Sequence, residues 1–544
     1  MNKLTAATMA ASVLLGAGAA RAQQSAPLPP QVDPGAIGRG LIDNRRDLPP
    51  PRLEVSGDAI TGDPTPAAGA DAPANAAITV EVREITFDPS AFLNRDELSA
   101  LAQPLIGTRA SLADLRALAT RVNALYAARG IVTARAYVPP QRVENGTVRI
   151  ALIEGKLGNV QFAKGRYTSD AFARSRIDLK PGEVVDMDLL RRQVNRFNRN
   201  NDARLQAQLQ PGAQVGLTDV ALTLVEPPRN SVQLFLDTYG YESTGRLQGG
   251  VALRRNGLLF DGDRANIYAS ASEGGLTGSA SYNVAVGLSR IGATYARSQI
   301  TVKNGPSANL DIDGFSDSAS VNFARPIAEG NDWYANFVAA AAYVASENRL
   351  SNRTVGESKV YKATAGIGFG MDLPRGSFGL NLTGSPTKAD DTLEPAGRKF
   401  VLVNGDFAGL IGLGNSRLAL RVTGAGQYVG SDFIPSNQLF QIGGPVSIRG
   451  FQPGSASGSN GYYTQAELHY QTPLLGRTLD AFTFFDSGKT FSQDFGDRAL
   501  GSVGFGARLP FWRFDLETTL GLPVTTLRPG EDSYRIDARL LLSF

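Results

Sequence analysis

His469 is the only histidine in this 544-residue chain, and there is no cysteine. A hydrolase built on a Ser–His pair would have to use it as its base, with the serines of SASGSN as the nearest candidates for a nucleophile. Alternation in YYTQAELHYQ instead sets His469 with Glu467 and Gln471 on the face opposite Leu468 and Tyr470, so it reads as a polar wall residue. No enzyme is expected. One histidine without cysteine gives no metal-ligand set. GLGNS and similar glycine clusters lack the strand-then-helix context of a phosphate cradle, so no cofactor is expected either.

The arginine in GGPVSIRGF is more informative. Residues 443–451 set Ser447, Ile448, Arg449, Gly450 and Phe451 behind a glycine pair. A solvated arginine needs no such setting, because glycines permit close backbone approach and positive φ. The stretch alone also fits a surface turn. What Arg449 serves depends on the elements around it.

Composition bounds those elements. The formal net charge is only +3, which suggests neither a nucleic-acid footprint nor an acidic tail. Residues 1–22 give a Lys3 n-region, an apolar stretch from Leu4 to Leu15 and small residues ending in Ala20-Arg21-Ala22, the pattern of a signal peptide cleaved before Gln23. Beyond it no run of about 18 apolar residues occurs, which argues against a helical membrane protein. Residues 23–77 are rich in Pro, Ala, Gly and Asp and read as a linker that buries too little apolar surface to fold alone. Within it, residues 36–47 (AIGRGLIDNRRD) place Ile37, Leu41 and Ile42 at roughly helical spacing, and two glycines weaken that helix.

From residue 78 the pattern becomes two small α+β units, each β-α-α-β-β, at 78–154 and 155–227. In the first, ITVEVREITF alternates as a strand. Asn94 with Glu97 then forms a capping-box signal, and a second helix from Ser111 carries Leu112, Leu115, Leu118, Val122 and Leu125 on one face. KLGNVQF opens the second unit, which repeats the order with a helix from Asp188 and the strands ARLQAQLQPG and DVALTLVEPP. Such sheets expose an edge that can accept an extended peptide as an added strand.

Pro227-Pro228 marks a boundary, and residues 228–544 alternate in stretches such as RANIYASAS, SYNVAVGLS and RLALRVTGAGQYV, separated by turn residues. The last stretch is the clearest: Tyr534, Ile536, Ala538, Leu540, Leu542 and Phe544 share one face, and Arg535, Asp537, Arg539 and Ser543 the other. This is the signature of a transmembrane antiparallel β-barrel, and the length suits about 16 strands, with 14 to 18 also compatible.

Several motifs, taken in order, resemble the outer-membrane transporters of two-partner secretion, the haemolysin and filamentous-haemagglutinin secretion/activation family. LDTYGYESTGRLQGG, with Asp237, Gly240, Thr244 and Gly245, resembles the family's motif at the first barrel strand. Residues 181–212 resemble the helix, Asn-Asp turn and strand of the second periplasmic domain. GGPVSIRGF followed by GYYTQAEL resembles the signature loop, with Ile448 where Val is commonest. FFDSGKT resembles the Phe-x-Asp-x-Gly strand that carries Phe484, Asp486 and Gly488.

The resemblance implies that the two α+β units are POTRA domains in the periplasm, and that the loop folds back into the barrel lumen. There Arg449 should pair with Asp486, with Phe484 packing against the loop. It also implies that residues 36–47 plug the resting pore, that Phe544 is a barrel-insertion signal, and that an unfolded exported protein of the TpsA kind threads outward. The other partners implied are outer-membrane lipid and, during biogenesis, periplasmic chaperones and the barrel-assembly machinery. Nucleic acid is not among them. A barrel-assembly insertase would share the loop and the Asp strand, but it usually carries more periplasmic repeats and lacks the Pro-rich linker. A passive porin or receptor would leave the two α+β units unexplained.

Overall fold

The computed structural model describes residue 28, residues 31–38, 60–61 and 79–544, apart from 130, 132, 215, 393–396, 415–416, 432–433, 475 and 494. The expected signal segment, most of the linker and residues 39–47 lie outside the described residues. The described residues form two compact units, one of residues 60–61 with 79–227 and one of residue 28 and residues 31–38 with 228–544.

In the first unit, Asn94 accepts from the Glu97 amide at 2.7 Å while Glu97 reaches back to the Asn94 amide at 3.3 Å, so helix Arg95–Ala102 begins on a reciprocal cap. Ser111 and Asp114 do the same for helix Leu112–Ala128, and the Ser111 hydroxyl holds the Asp114 carboxyl below its ordinary range. That helix buries Leu115, Leu118, Val122 and Tyr126 against Val148 and Ile150 of strand Thr147–Glu154. Full burial of each such side chain contributes about 1.5–3 kcal/mol.

The strand expected over residues 78–87 is split in two. Thr79–Glu81 pairs antiparallel with Arg109–Ser111, and Glu84–Phe87 pairs parallel with Thr147–Glu154. The break falls at Val82 and Arg83, whose amides turn to different partners, the carbonyls of Thr108 and Gly146. The 109–111 strand is an addition to the expected order.

The second sheet runs Arg204–Pro211, Leu217–Val225, Lys156–Phe162, with helix Met187–Asn200 burying Leu190, Val194 and Phe197. Its outer edge is occupied by the linker itself: Ile60 and Thr61 pair parallel with Ala207 and Gln208.

The second unit is a closed barrel of 16 antiparallel strands, from Asn230–Asp237 to Arg535–Ser543. It closes through a short seam in which Gln233 faces Ser543 and Asp237 faces Arg539. The first strand starts and the last strand ends at the same rim. Most turns at that rim are tight, as at 287–288, 374–375 and 512–513, whereas loops 302–311, 430–459 and 524–534 cluster at the other. Outer-membrane barrels place short turns in the periplasm and longer loops outside, which orients this one.

Alternation holds along the strands except at the bulges at Pro326/Ala328 and Asn348/Arg349, because ladder pairing satisfies the backbone and leaves the side chains to distinguish lipid from lumen. On the last strand Ile536 and Leu540 are exposed outward, while Arg535 and Asp537 are buried inward and paired at 2.9 Å. Tyr295, Tyr361, Tyr428 and Tyr462 toward one boundary, and Trp333, Phe511 and Trp512 toward the other, form outward aromatic girdles.

Two segments fill part of the lumen. Loop 430–459 folds inward as a hairpin of Phe440–Ile442 against Ala456–Gly458. Residues 34–38 form a short helix, capped by Asp33, whose carboxylate accepts the Ala36 amide at 2.9 Å. The helix therefore begins at Pro34 rather than at Ala36. Proline suits the first helical position because its missing N–H would be unsatisfied there in any case.

Candidate functional site

The tip of loop 430–459 is shaped by glycines at positive φ, Gly443 at 111° and Gly444 and Gly450 each at 87°. Ser447 ties the turn by accepting from the Gly443 amide at 2.9 Å and donating to its carbonyl at 3.0 Å. Ile448 and Phe451, both buried, pack with Ile442, Ala456 and Leu500. The loop is thus seated by an apolar contact with the barrel wall on either side of Arg449.

Arg449 points the other way and is fully engaged. Its Nε donates to Asp486 Oδ2 at 2.8 Å and its Nη2 to Oδ1 at 2.6 Å, a bidentate fork, while its own backbone amide also donates to Oδ2 at 2.9 Å. Nη1 donates to Glu467 Oε1 at 2.5 Å. The guanidinium lies 3.7 Å from the ring centroid of Phe484, which faces the lumen. Planarity makes arginine suited to this site: one face stacks on an aromatic ring while the edge satisfies two carboxylates.

The neighbouring glycines are what make room. A Cβ at Gly504 would lie 2.5 Å from the Phe484 ring, and one at Gly521 would lie 2.3 Å from the Gly450 nitrogen. Gly488, next on the lumenal face after Asp486, lets Tyr463 approach in the same manner.

The charges continue along the wall. Glu467 also receives Arg421 at 3.2 Å, and His469 sits with Nε2 3.0 Å from Glu467 and Nδ1 3.0 Å from Asp480. Both ring nitrogens of His469 are occupied by carboxylates, so the arrangement is an ion chain from Asp486 through Arg449 and Glu467 to Asp480. Chemically, such a chain can hold a loop in one position and release it as a unit.

The first-strand motif forms a second cluster, at the extracellular end of the seam. Asp237 accepts from Gln248 at 2.8 Å, from the Tyr239 amide at 3.0 Å and from Arg539 of the last strand at 3.3 Å. Gly240 passes so close to Gly245 that a Cβ would lie 2.3 Å from its carbonyl oxygen, and Gly245 takes φ 94° after the buried Thr244. Ser243, within this turn, donates to the Gln31 carbonyl at 2.6 Å, which connects the cluster to the N-terminal segment.

Phe544 lies apart from both clusters. It is exposed at the periplasmic rim, bonded through its backbone to Val232 and stacked 5.1 Å from Arg513.

Residues 80–155 match the model of the ShlB-type POTRA domain, and residues 216–509 match that of the haemolysin secretion/activation protein ShlB/FhaC/HecB. The chain belongs to the ShlB/FhaC/HecB family. It is accordingly an outer-membrane transporter of two-partner secretion, with POTRA domains in the periplasm.

Among its relatives, the outer membrane transporter CdiB of Dickeya dadantii is 22% identical over 449 residues, covering 78% of this chain and 79% of CdiB. The haemolysin transporter protein ShlB of Serratia marcescens is 22% identical over 489 residues, 82% of each chain. Of solved structures, CdiB from Escherichia coli is similar in fold, with TM-score 0.68 at 18% identity, covering 96% of this chain and all of that one.

In this ShlB-type barrel, sequence reasoning missed Glu467 as the second carboxylate on Arg449, and it missed Gly521 under the loop tip. Glu467 was legible only as a polar wall residue. The register that sets it opposite Phe484 is a property of the closed sheet. Gly521 carries no motif at all.

Proposed function

We propose that the barrel is the conduit for one exported protein of the TpsA kind, and that the arrangement described is its resting, closed state. The observation that carries this reading is the nature of what fills the lumen. Residues 31–38 and loop 430–459 are held by side-chain bonds, ion pairs and small apolar contacts rather than by the barrel ladder. Both can therefore leave without the wall opening.

The N-terminal helix rests on small polar wall residues. The Gly35 amide donates to Asn348 Oδ1 at 3.1 Å, and Asn348 donates to Asp33 at 2.9 Å. Gln441 of the loop donates to the Ala36 carbonyl at 3.2 Å, so plug and loop touch each other. Release of one removes a contact of the other.

Cargo capture follows from strand addition in the POTRA sheets. At the edge strand Arg204–Pro211, an incoming segment would have to replace Ile60 and Thr61, which gives the linker a part in admission. With no nucleotide motif in the chain, folding of the cargo outside supplies the drive for passage.

The test is mass spectrometry of the extracellular medium from cells with and without this gene. Loss of one large polypeptide, with the outer-membrane proteins unchanged, is expected. A general fall in barrel proteins would instead assign the chain to membrane insertion.

Biogenesis of the barrel itself is proposed to use periplasmic chaperones and the barrel-assembly machinery, with Phe544 as part of the signal. Its exposed ring makes no contact that the folded seam depends on. Phe544→Ala, which keeps the backbone bonds to Val232 in the seam, should therefore slow insertion in cells, read as reduced heat-modifiable barrel in the outer membrane. Unaltered levels would place the signal elsewhere.

A further inference from the structure

The outer wall of the barrel is hollowed into a groove of 1390 Å³ across strands Arg264–Ala271 to Arg398–Leu413. One bank follows Tyr295, Ala319, Tyr343, Tyr361, Lys388 and Lys399, each opposite the next in the ladder. The facing bank follows Ala293, Val321, Ala341 and Ala363 in the same way. Both banks face outward, since Tyr295 and Val321 are half-exposed while Ser298, on the other face of the Tyr295 strand, meets the plug helix in the lumen.

The groove crosses the membrane obliquely. Leu258 and Leu259 of a periplasmic turn line one end, and Lys388 and Lys399 stand near the extracellular ends of their strands at the other. On strand Gly376–Asp391 the outward positions Phe378, Leu380, Leu382, Gly384 and Pro386 are uncharged, and Lys388 is the next. On its neighbour, Val401 and Val403 are outward and Lys399 precedes them. Both lysines therefore sit where the apolar band gives way to headgroups.

Like charges directly opposite on one face of a sheet repel. Lys388 has Asp390 at 3.2 Å, but Lys399 has no carboxylate partner among the described residues. Lys399, beside the already paired Lys388 at the mouth of an apolar groove, calls for an anion that is itself attached to a hydrocarbon chain.

We propose that this groove holds an acyl chain of a phosphorylated glycolipid of the outer leaflet, with a phosphate between Lys388 and Lys399. A free phosphate would leave the Tyr–Ala groove unused, and an uncharged lipid would leave Lys399 without an anion and Lys388 with Asp390 alone. The small side chains of Ala319, Ala341 and Ala363 give the chain its depth, and the tilted rings of Tyr343 and Tyr361, 5.1 Å apart, form the wall next to the headgroup.

The full-length protein, purified in detergent and mixed with either diphosphoryl lipid A or its dephosphorylated form, is examined by native mass spectrometry. The wild type should retain the diphosphoryl lipid about thirtyfold better, as expected for two lysines at an anionic headgroup. Lys388→Gln with Lys399→Gln should abolish that preference, and Ala341→Phe should reduce retention of both lipids. Heat-modifiable migration verifies that each variant is a folded barrel. A wild type without preference, a double variant that keeps it, or an Ala341→Phe protein that retains lipid normally would each overturn the proposal.

Discussion

Arg449→Glu should abolish secretion while leaving a folded barrel in the membrane. The residue is almost wholly buried, and its side chain serves Asp486 and Glu467 at once. Removing one member of a buried ion pair typically costs about 3–5 kcal/mol, because the partner is left charged without compensation. Here the reversal would crowd three carboxylates into a site built for one guanidinium.

The barrel ladder does not pass through this site, so the loss should fall on the position of loop 430–459 and not on assembly. Exchanging the charges, Arg449→Asp with Asp486→Arg, should recover part of the secretion. Recovery is only partial because Asp486 also accepts the Arg449 backbone amide, which an arginine at 486 cannot do. The measurement is cargo in the medium for both single variants and the double. Additive losses with no coupling would mean that the pair does not act as a unit.

What could be read in advance follows from where the information is local. The last strand's alternation of Ile536, Ala538, Leu540 and Leu542 with Arg535, Asp537 and Arg539 depends only on period two, and the barrel class follows from many such stretches. Helix caps are local too, so Asn94 and Ser111 mark their helices from sequence. The pairing of Arg449 with Asp486 rested on resemblance, since 37 residues separate them and no spacing rule joins a loop tip to a wall.

Registers of a closed sheet are global, which is why Glu467 and Gly521 were invisible. The N-terminal helix is instructive for the opposite reason. Glycines count against an isolated helix, yet Gly35 and Gly38 are what allow this one to lie on the wall: a Cβ at either would come 2.9 Å from Ser346 Oγ or 3.0 Å from Ser316 Cβ. Propensity was read correctly and was outweighed by close packing.

That same closeness sets the expected result of removing the plug. Deleting residues 31–47 should raise single-channel conductance in planar bilayers, because the helix occupies lumen between the Ser298, Ser316 and Ser346 wall and the loop hairpin. The hold on the helix is modest and centred on Asp33, which caps it and bonds Asn348. Asp33→Ala should lose a cap contributing about 1 kcal/mol and leave Asn348 short of a partner at a further cost of about 1–3 kcal/mol. It should therefore raise open probability by a smaller amount than the deletion does, since the rest of the helix can still return to its place on the wall. The contacts to Ser243 and Gln441 mean that the loop loses a neighbour as well, so the deletion should also make the loop easier to proteolyse. An unchanged open probability in both variants would show that residues 31–38 do not obstruct the pore, and loop 430–459 alone would then have to account for closure.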